Sequence, residues 1–128
     1  MRSEPVDALV LIAHGSRDPR WSAPIEALAA KVRAARPELA VHVAFLEHST
    51  PDPASVLAQL ADSTARAVAI APLFLGIGTH ARADIDRLIN AACARHPHLR
   101  FTVLAAAGEL PRVQQALASA LLESIDQR

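Results

Sequence analysis

Ala8-Leu-Val-Leu-Ile-Ala13-His14-Gly15-Ser16 decides the fold. Six apolar residues in a row, without alternation, form the kind of strand that is buried on both faces of a parallel sheet. The run stops abruptly on His14-Gly15-Ser16-Arg17-Asp18, so polar chemistry begins where the strand ends. The pattern recurs. Ala40 to Leu46 (AVHVAFL) reads as a second strand with Val41, Val43 and Phe45 on one face, followed by Glu47-His48-Ser49-Thr50. Ala67 to Leu75 (AVAIAPLFL), the most apolar stretch, is a third, followed by Gly76-Ile-Gly78-Thr79-His80-Ala-Arg82. Arg100 to Ala105 is a fourth, and Ala106-Ala107-Gly108-Glu109 after it carries no imidazole.

Helical periodicity fills the gaps. From about Ser22 to Ala35, Ile25, Leu28, Ala29 and Val32 recur on one face until Pro37 stops the helix. Asp52-Pro53 pairs a capping carboxylate with a proline at the first helical position, ahead of a stripe of Val56, Leu57, Leu60 and Ala61. A third helix carries Ile85, Leu88, Ile89 and Ala92 and ends at His96-Pro97; Pro111 opens a fourth with Val113, Leu117 and Leu121. Four strands alternating with four helices imply an α/β chain: a doubly wound, four-stranded parallel sheet in a three-layer αβα sandwich, one domain over 1–128.

Composition narrows the function. Thirteen basic against thirteen acidic residues leave no basic surplus for nucleic acid or an anionic membrane, and four aromatics (no Tyr) make a base-stacking surface hard to build. The single cysteine, Cys93, excludes an internal disulfide and a cysteine-built zinc site, and fits a reducing, cytoplasmic setting. No segment reaches the roughly 20 apolar residues of a spanning helix, and Met1 to Asp7 is too acidic for a secretion signal.

Ligands of such sheets bind beyond the carboxyl ends of the strands. His14, Glu47 and His80 follow three different strands and should therefore converge there. Two imidazoles and a carboxylate suit a first-row divalent metal with an open position, and the same groups can take up protons. Taken singly, each has a plainer reading: a turn residue, a core histidine or a solvated carboxylate. His42, His96 and His98 are assigned structural roles, and His48 could support Glu47, although a plain structural role is the simpler reading. Arg17, Arg20 and Arg82 flank the same mouth and could hold carboxylates in bidentate fashion. Neither GxGxxG nor GxxxxGK[ST] follows any strand, so no nucleotide cofactor is expected; Gly76 and Gly78 are expected to let the loop bend tightly and a flat ligand approach.

Leu11-Ile-Ala-His14-Gly15-Ser16-Arg17, Phe45-Leu46-Glu47, and Pro72-Leu-Phe-Leu75 followed by Gly78-Thr-His80-Ala-Arg-Ala-Asp84-Ile85 fall in order along Val6 to about Leu122. In this combination the chain resembles the short, single-domain sirohydrochlorin chelatases of the class II chelatase family, whose fold is a chelatase-like, flavodoxin-like sandwich. The resemblance implies insertion of a divalent metal into sirohydrochlorin without ATP, for cobalamin or siroheme. Co²⁺ is the first choice, Fe²⁺ the next, with Ni²⁺ also compatible. It implies metal-binding and catalytic roles for His14, Glu47 and His80, with Ser16, Arg17, Gly78 and Arg82 at the substrate. It also implies a homodimer, because longer relatives carry two such domains in tandem. Two rivals are weighed against it. A histidine phosphatase or mutase would need arginine directly before the histidine, where Ala13 stands. A non-catalytic metal or tetrapyrrole carrier would use the same ligands.

Overall fold

The computed structural model describes residues 5–127; the first four residues of the Met1–Asp7 segment considered above lie outside them. Strands β1 (Ala8–Ala13), β2 (Ala40–Phe45), β3 (Ala67–Pro72) and β4 (Arg100–Val103) alternate with helices α1 (Ala23–Ala35), α2 (Pro53–Ala61), α3 (Thr79–Arg95) and α4 (Pro111–Asp126). Short 3-10 turns, Pro19–Ser22 and Ala107–Glu109, precede α1 and α4. All strand pairs are parallel, in the order β2-β1-β3-β4. The chain starts in the middle of the sheet, builds β2 on one side and crosses to β3 on the other. Neighbouring connections therefore diverge between β1 and β3, where doubly wound sheets open a crevice.

Alternate residues of the strands feed two cores. Val10, Ile12, Val68 and Ile70 pack with Val56, Leu57 and Leu60 of α2 and Ile85 and Ala92 of α3. Leu11, Ala13, Val41, Val43 and Phe45 pack on the other face with Ala29 of α1, flanked by half-buried Ile25 and Val32. Helices on both faces make the three-layer α/β sandwich that the alternating pattern implies. Ile12, Leu57, Leu60, Ile70 and Ile85 are fully buried, each contributing about 1.5–3 kcal/mol. Asp7 sets the register at the opposite edge: its carboxylate accepts the backbone N–H groups of Arg66 and Ala67, tying the start of β1 to that of β3.

Several expectations change in detail. Strands β2, β3 and β4 end at Phe45, Pro72 and Val103, not at Leu46, Leu75 and Ala105. One further backbone bond follows each, from Leu46 N–H to Ala13, Leu73 N–H to Ile12 and Leu104 N–H to Ile70. Beyond that the apolar residues serve the loop: Leu75 is 77% exposed. Helix α1 starts one residue late because Pro19–Ser22 forms its own turn, and Leu28 on it is exposed. Asp52 occupies the N-cap position of α2, but its carboxylate accepts from the Ser55 hydroxyl instead of a backbone N–H. The larger difference is α4. Its stripe is present, yet none of its residues is buried, and Leu117, Leu121, Leu122 and Ile125 face outward. Its main contact is the 3-10 turn that leads into it. Periodicity specifies an apolar face; it does not specify what covers that face. No described helix is long and apolar enough to cross a membrane, and Cys93 is a free, exposed thiol.

Candidate functional site

Three loops at the carboxyl edge carry the residues singled out from the sequence. His14 follows β1 and is exposed at the end of a strand buried at every position but Leu9. Glu47 follows β2, and the two loops are clamped by backbone: Glu47 N–H donates to the His14 carbonyl at 2.8 Å, next to the Leu46–Ala13 bond at 2.9 Å. Gly15 makes this approach possible. It sits at φ +100°, and a Cβ there would fall 1.6 Å from the Glu47 carbonyl oxygen. Ser49 adds a second clasp across the same gap, accepting from Ser16 N–H at 3.1 Å and donating its hydroxyl to the Ser16 carbonyl at 2.8 Å. The Glu47 carboxylate stands 3.8 Å from the His48 imidazole, and His48 itself takes a positive φ of 65°.

His80 enters from the third loop, in the first turn of α3, with Gly78 at the N-cap and Arg82 two residues on. All three are exposed. Topology thus brings the His14 and Glu47 loops into direct contact and places the His80 loop across the β1–β3 divergence. The donors are not closed into a cage: among the described residues, no three His, Cys, Asp or Glu side chains stand together as a metal cluster. Of the three arginines at the mouth, Arg20 is paired with Asp18 at 3.1 Å, and that bond holds the Asp18 carboxyl below its usual range. Arg17 and Arg82 are exposed and make no ion pair among the described residues.

The His14 imidazole lies against the Phe74 ring, centroids 4.3 Å apart and planes 34° apart. Phe74, 7% exposed, also borders an apolar hollow of about 300 Å³ lined by Ile25, Leu28, Leu73, Leu75 and Val113. The tight bend expected of Gly76 and Gly78 is corrected here. Neither has a positive φ, and both have open space where a Cβ would sit, so the bend does not need them. The glycines under steric demand are Gly15 and Gly108, where a Cβ would meet the Leu75 carbonyl oxygen at 2.1 Å. Ser49 and Phe74 were not singled out from the sequence, because their partners are 33 and 60 residues away. Gly15 had a signal: a glycine one position after a strand-end histidine.

His42, His96 and His98 stand apart from this edge. Burial, with Arg33 nearby, pushes the His42 imidazole below its ordinary value, and His98 Nε2 is 2.9 Å from the Ala61 carbonyl oxygen. His96 packs edge-on against His98.

Comparison with known proteins follows the same lines. The CbiX family model matches residues 8–124. A sirohydrochlorin cobaltochelatase of Methanococcus maripaludis is 31% identical over 85 residues, 66% of this chain and 59% of that protein. The chain therefore spans less than two thirds of the length of that curated relative. The crystal structure of a protein from Marinobacter aquaeolei, named for CbiX of cobalamin (vitamin B12) biosynthesis, superposes with a TM-score of 0.83 at 25% identity, covering 94% of this chain and 98% of that one. The sirohydrochlorin chelatase SirB of Bacillus subtilis subspecies spizizenii, solved with cobalt, shares the fold with a TM-score of 0.78 at 24% identity; the match covers 91% of this chain and 50% of SirB.

Proposed function

The chain belongs to the CbiX family, and on that premise we propose that it is a sirohydrochlorin chelatase acting in the cytoplasm. It inserts a divalent metal, Co²⁺ first and Fe²⁺ next, with Ni²⁺ also accepted, because a site of two imidazoles and a carboxylate binds several first-row ions. The observation that carries the proposal is the backbone clamp between the His14 and Glu47 loops, facing the His80 loop across the open edge of the sheet.

The metal is a substrate here, and an open donor set suits an ion that must leave. His14 and Glu47 stand on fixed loops and receive it, and His80 completes the set from the third loop. Sirohydrochlorin brings four ring nitrogens and several carboxylates. Arg17 and Arg82, free of ion pairs among the described residues, hold carboxylates, while Ser16 and the open surface at Gly78 bear on the ring. As the metal enters, two pyrrole N–H bonds break. As its bond to the metal breaks, His80 takes one proton and water takes the other, and the metal–nitrogen bonds of the ring replace both. Orientation and desolvation of the ion supply the rate, and no nucleotide takes part.

The functional unit is a homodimer. Support comes from α4, whose apolar stripe lies uncovered, and from SirB, in which one such domain accounts for half of the chain. No nucleic acid or membrane partner is proposed.

The test is a visible-spectrum assay of sirohydrochlorin with Co²⁺. We expect acceleration over the metal-only control, and a loss of at least about 100-fold in His14→Ala and His80→Ala, the scale on which a single proton-transfer group contributes. Tight binding without acceleration would make the protein a carrier. Full rate in both variants would remove the residue assignment and spare the activity.

A further inference from the structure

We propose that Phe74 is the positioning residue for His14; the inference rests on the reading of His14 as a metal ligand. Histidines that hold metals ordinarily have their second ring nitrogen fixed by a carboxylate, a carbonyl or water. The His14 ring makes no hydrogen bond among the described residues, and its neighbour is instead the Phe74 ring, with centroids 4.3 Å apart and planes tilted by 34°. An exposed imidazole on a loop has free rotamers unless something removes them. Phe74 is able to do so because it is itself held: the residue is only 7% exposed and belongs to the same core cluster as Ile12 and Ile70.

Its backbone is held from both sides. Leu73 N–H donates to the Ile12 carbonyl at 2.8 Å, and the Phe74 carbonyl accepts from Gly108 N–H at 2.9 Å. Gly108 is buried against Leu75 with no room for a Cβ. The turn after β4, the strand end that carries no imidazole, thereby fixes the loop after β3. That loop in turn orients the imidazole after β1 and leads directly into His80. One segment so carries one proposed ligand and aims another. Leucine or methionine at position 74 can fill the core, but neither presents a flat ring to the imidazole.

The test titrates the whole chain with CoCl₂, following heat and the visible ligand-field bands, in Phe74→Met, Phe74→Leu, Phe74→Tyr, His14→Ala and Leu60→Ala. Positioning predicts that Phe74→Met and Phe74→Leu bind Co²⁺ about 10-fold more weakly with altered bands, the range seen when a ligand's supporting contact is lost. Phe74→Tyr should keep the parental bands and an affinity within about threefold, because it keeps the ring. Leu60→Ala, a remote core truncation, should lower the melting temperature and leave Co²⁺ binding unchanged. Parental binding in both Phe74→Met and Phe74→Leu, with binding lost in His14→Ala, would overturn the inference while the ligand reading stands. An equal loss in Leu60→Ala would overturn it as well, by showing a general effect of stability. Parental binding in His14→Ala would sink the ligand reading, and the inference with it.

Discussion

Replacing Gly15 by alanine tests the loop clamp directly. The new Cβ would lie 1.6 Å from the Glu47 carbonyl oxygen and 2.8 Å from its carbon, both backbone atoms that cannot rotate aside. The loop must retreat by about 1.4 Å to reach the 3.0 Å below which real Cβ contacts essentially never fall. That movement breaks the His14–Glu47 backbone bond, a loss of about 0.5–1.5 kcal/mol. An L-residue at φ +100° adds about 1–3 kcal/mol. Together these predict a destabilisation of roughly 2–4 kcal/mol, a fall in melting temperature of about 10 °C for a domain of this size. Gly78→Ala is the matched control. With φ −79° and nothing within 4 Å, it should change stability by less than about 1 kcal/mol, because the entropy removed from the unfolded chain is offset by alanine's poorer fit at the N-cap of α3. Urea denaturation followed by far-UV circular dichroism and by the fluorescence of Trp21, whose ring lies 6.2 Å from that of Phe45, gives both values. If Gly15→Ala costs less than about 0.5 kcal/mol, or Gly78→Ala costs as much as Gly15→Ala, the steric account of the clamp is wrong.

Ser49→Ala removes both hydrogen bonds to Ser16 and should cost about 1–2 kcal/mol; amide exchange at Ser16 should accelerate, and unchanged protection there would refute the second clasp. His42 predicts a pH dependence. Its folded value is depressed by burial and Arg33, so the unfolded chain binds the proton more readily, and stability is full above the ordinary value of 6.5 and lost as pH falls below it. The urea midpoint should drop as pH falls below 6.5 in the parent and less so in His42→Asn, a window above the one in which Asp18, Glu38 and Asp52, all held below their ordinary values, protonate. Leu121→Glu on α4 should turn a dimer into a folded monomer by light scattering; a parent that is monomeric at micromolar concentration would remove the second copy from the proposal.

The parts legible in the sequence were those with a local signature. A strand buried on both faces leaves an uninterrupted apolar run, so β1 and the starts of β2, β3 and β4 stand where the pattern puts them. The strand ends do not: beyond Pro72, for example, Leu73 and Leu75 continue the apolar run while lining the hollow, and Leu75 is exposed. The stripe of α4 is likewise visible as a period, whereas its lack of cover depends on what lies across from it. At the site, topology alone brought the His14, Glu47 and His80 loops to one edge. The contacts that fix those loops, Ser49 on Ser16 and Phe74 on His14, join residues far apart in the chain and have no spacing to betray them. Glycine was readable as a residue type but not as a need: Gly76 and Gly78 drew notice through their loop, while the crowding falls on Gly15 and Gly108.

The distance between the His14 and Glu47 loops is set by main-chain atoms, His14 carbonyl to Glu47 N–H, and by the absence of a side chain at Gly15. The carboxylate of Glu47 takes no part in that spacing. Position 47 is thus an interchangeable cartridge: the scaffold aims whatever donor is placed there without having to be rebuilt around it. Exchanging the hard oxygen of Glu47 for imidazole or thiolate, as Glu47→His or Glu47→Cys, would tune the softness of the donor set one atom at a time. On the proposed ligand set, metal preference would therefore shift through a single codon while the architecture stays still.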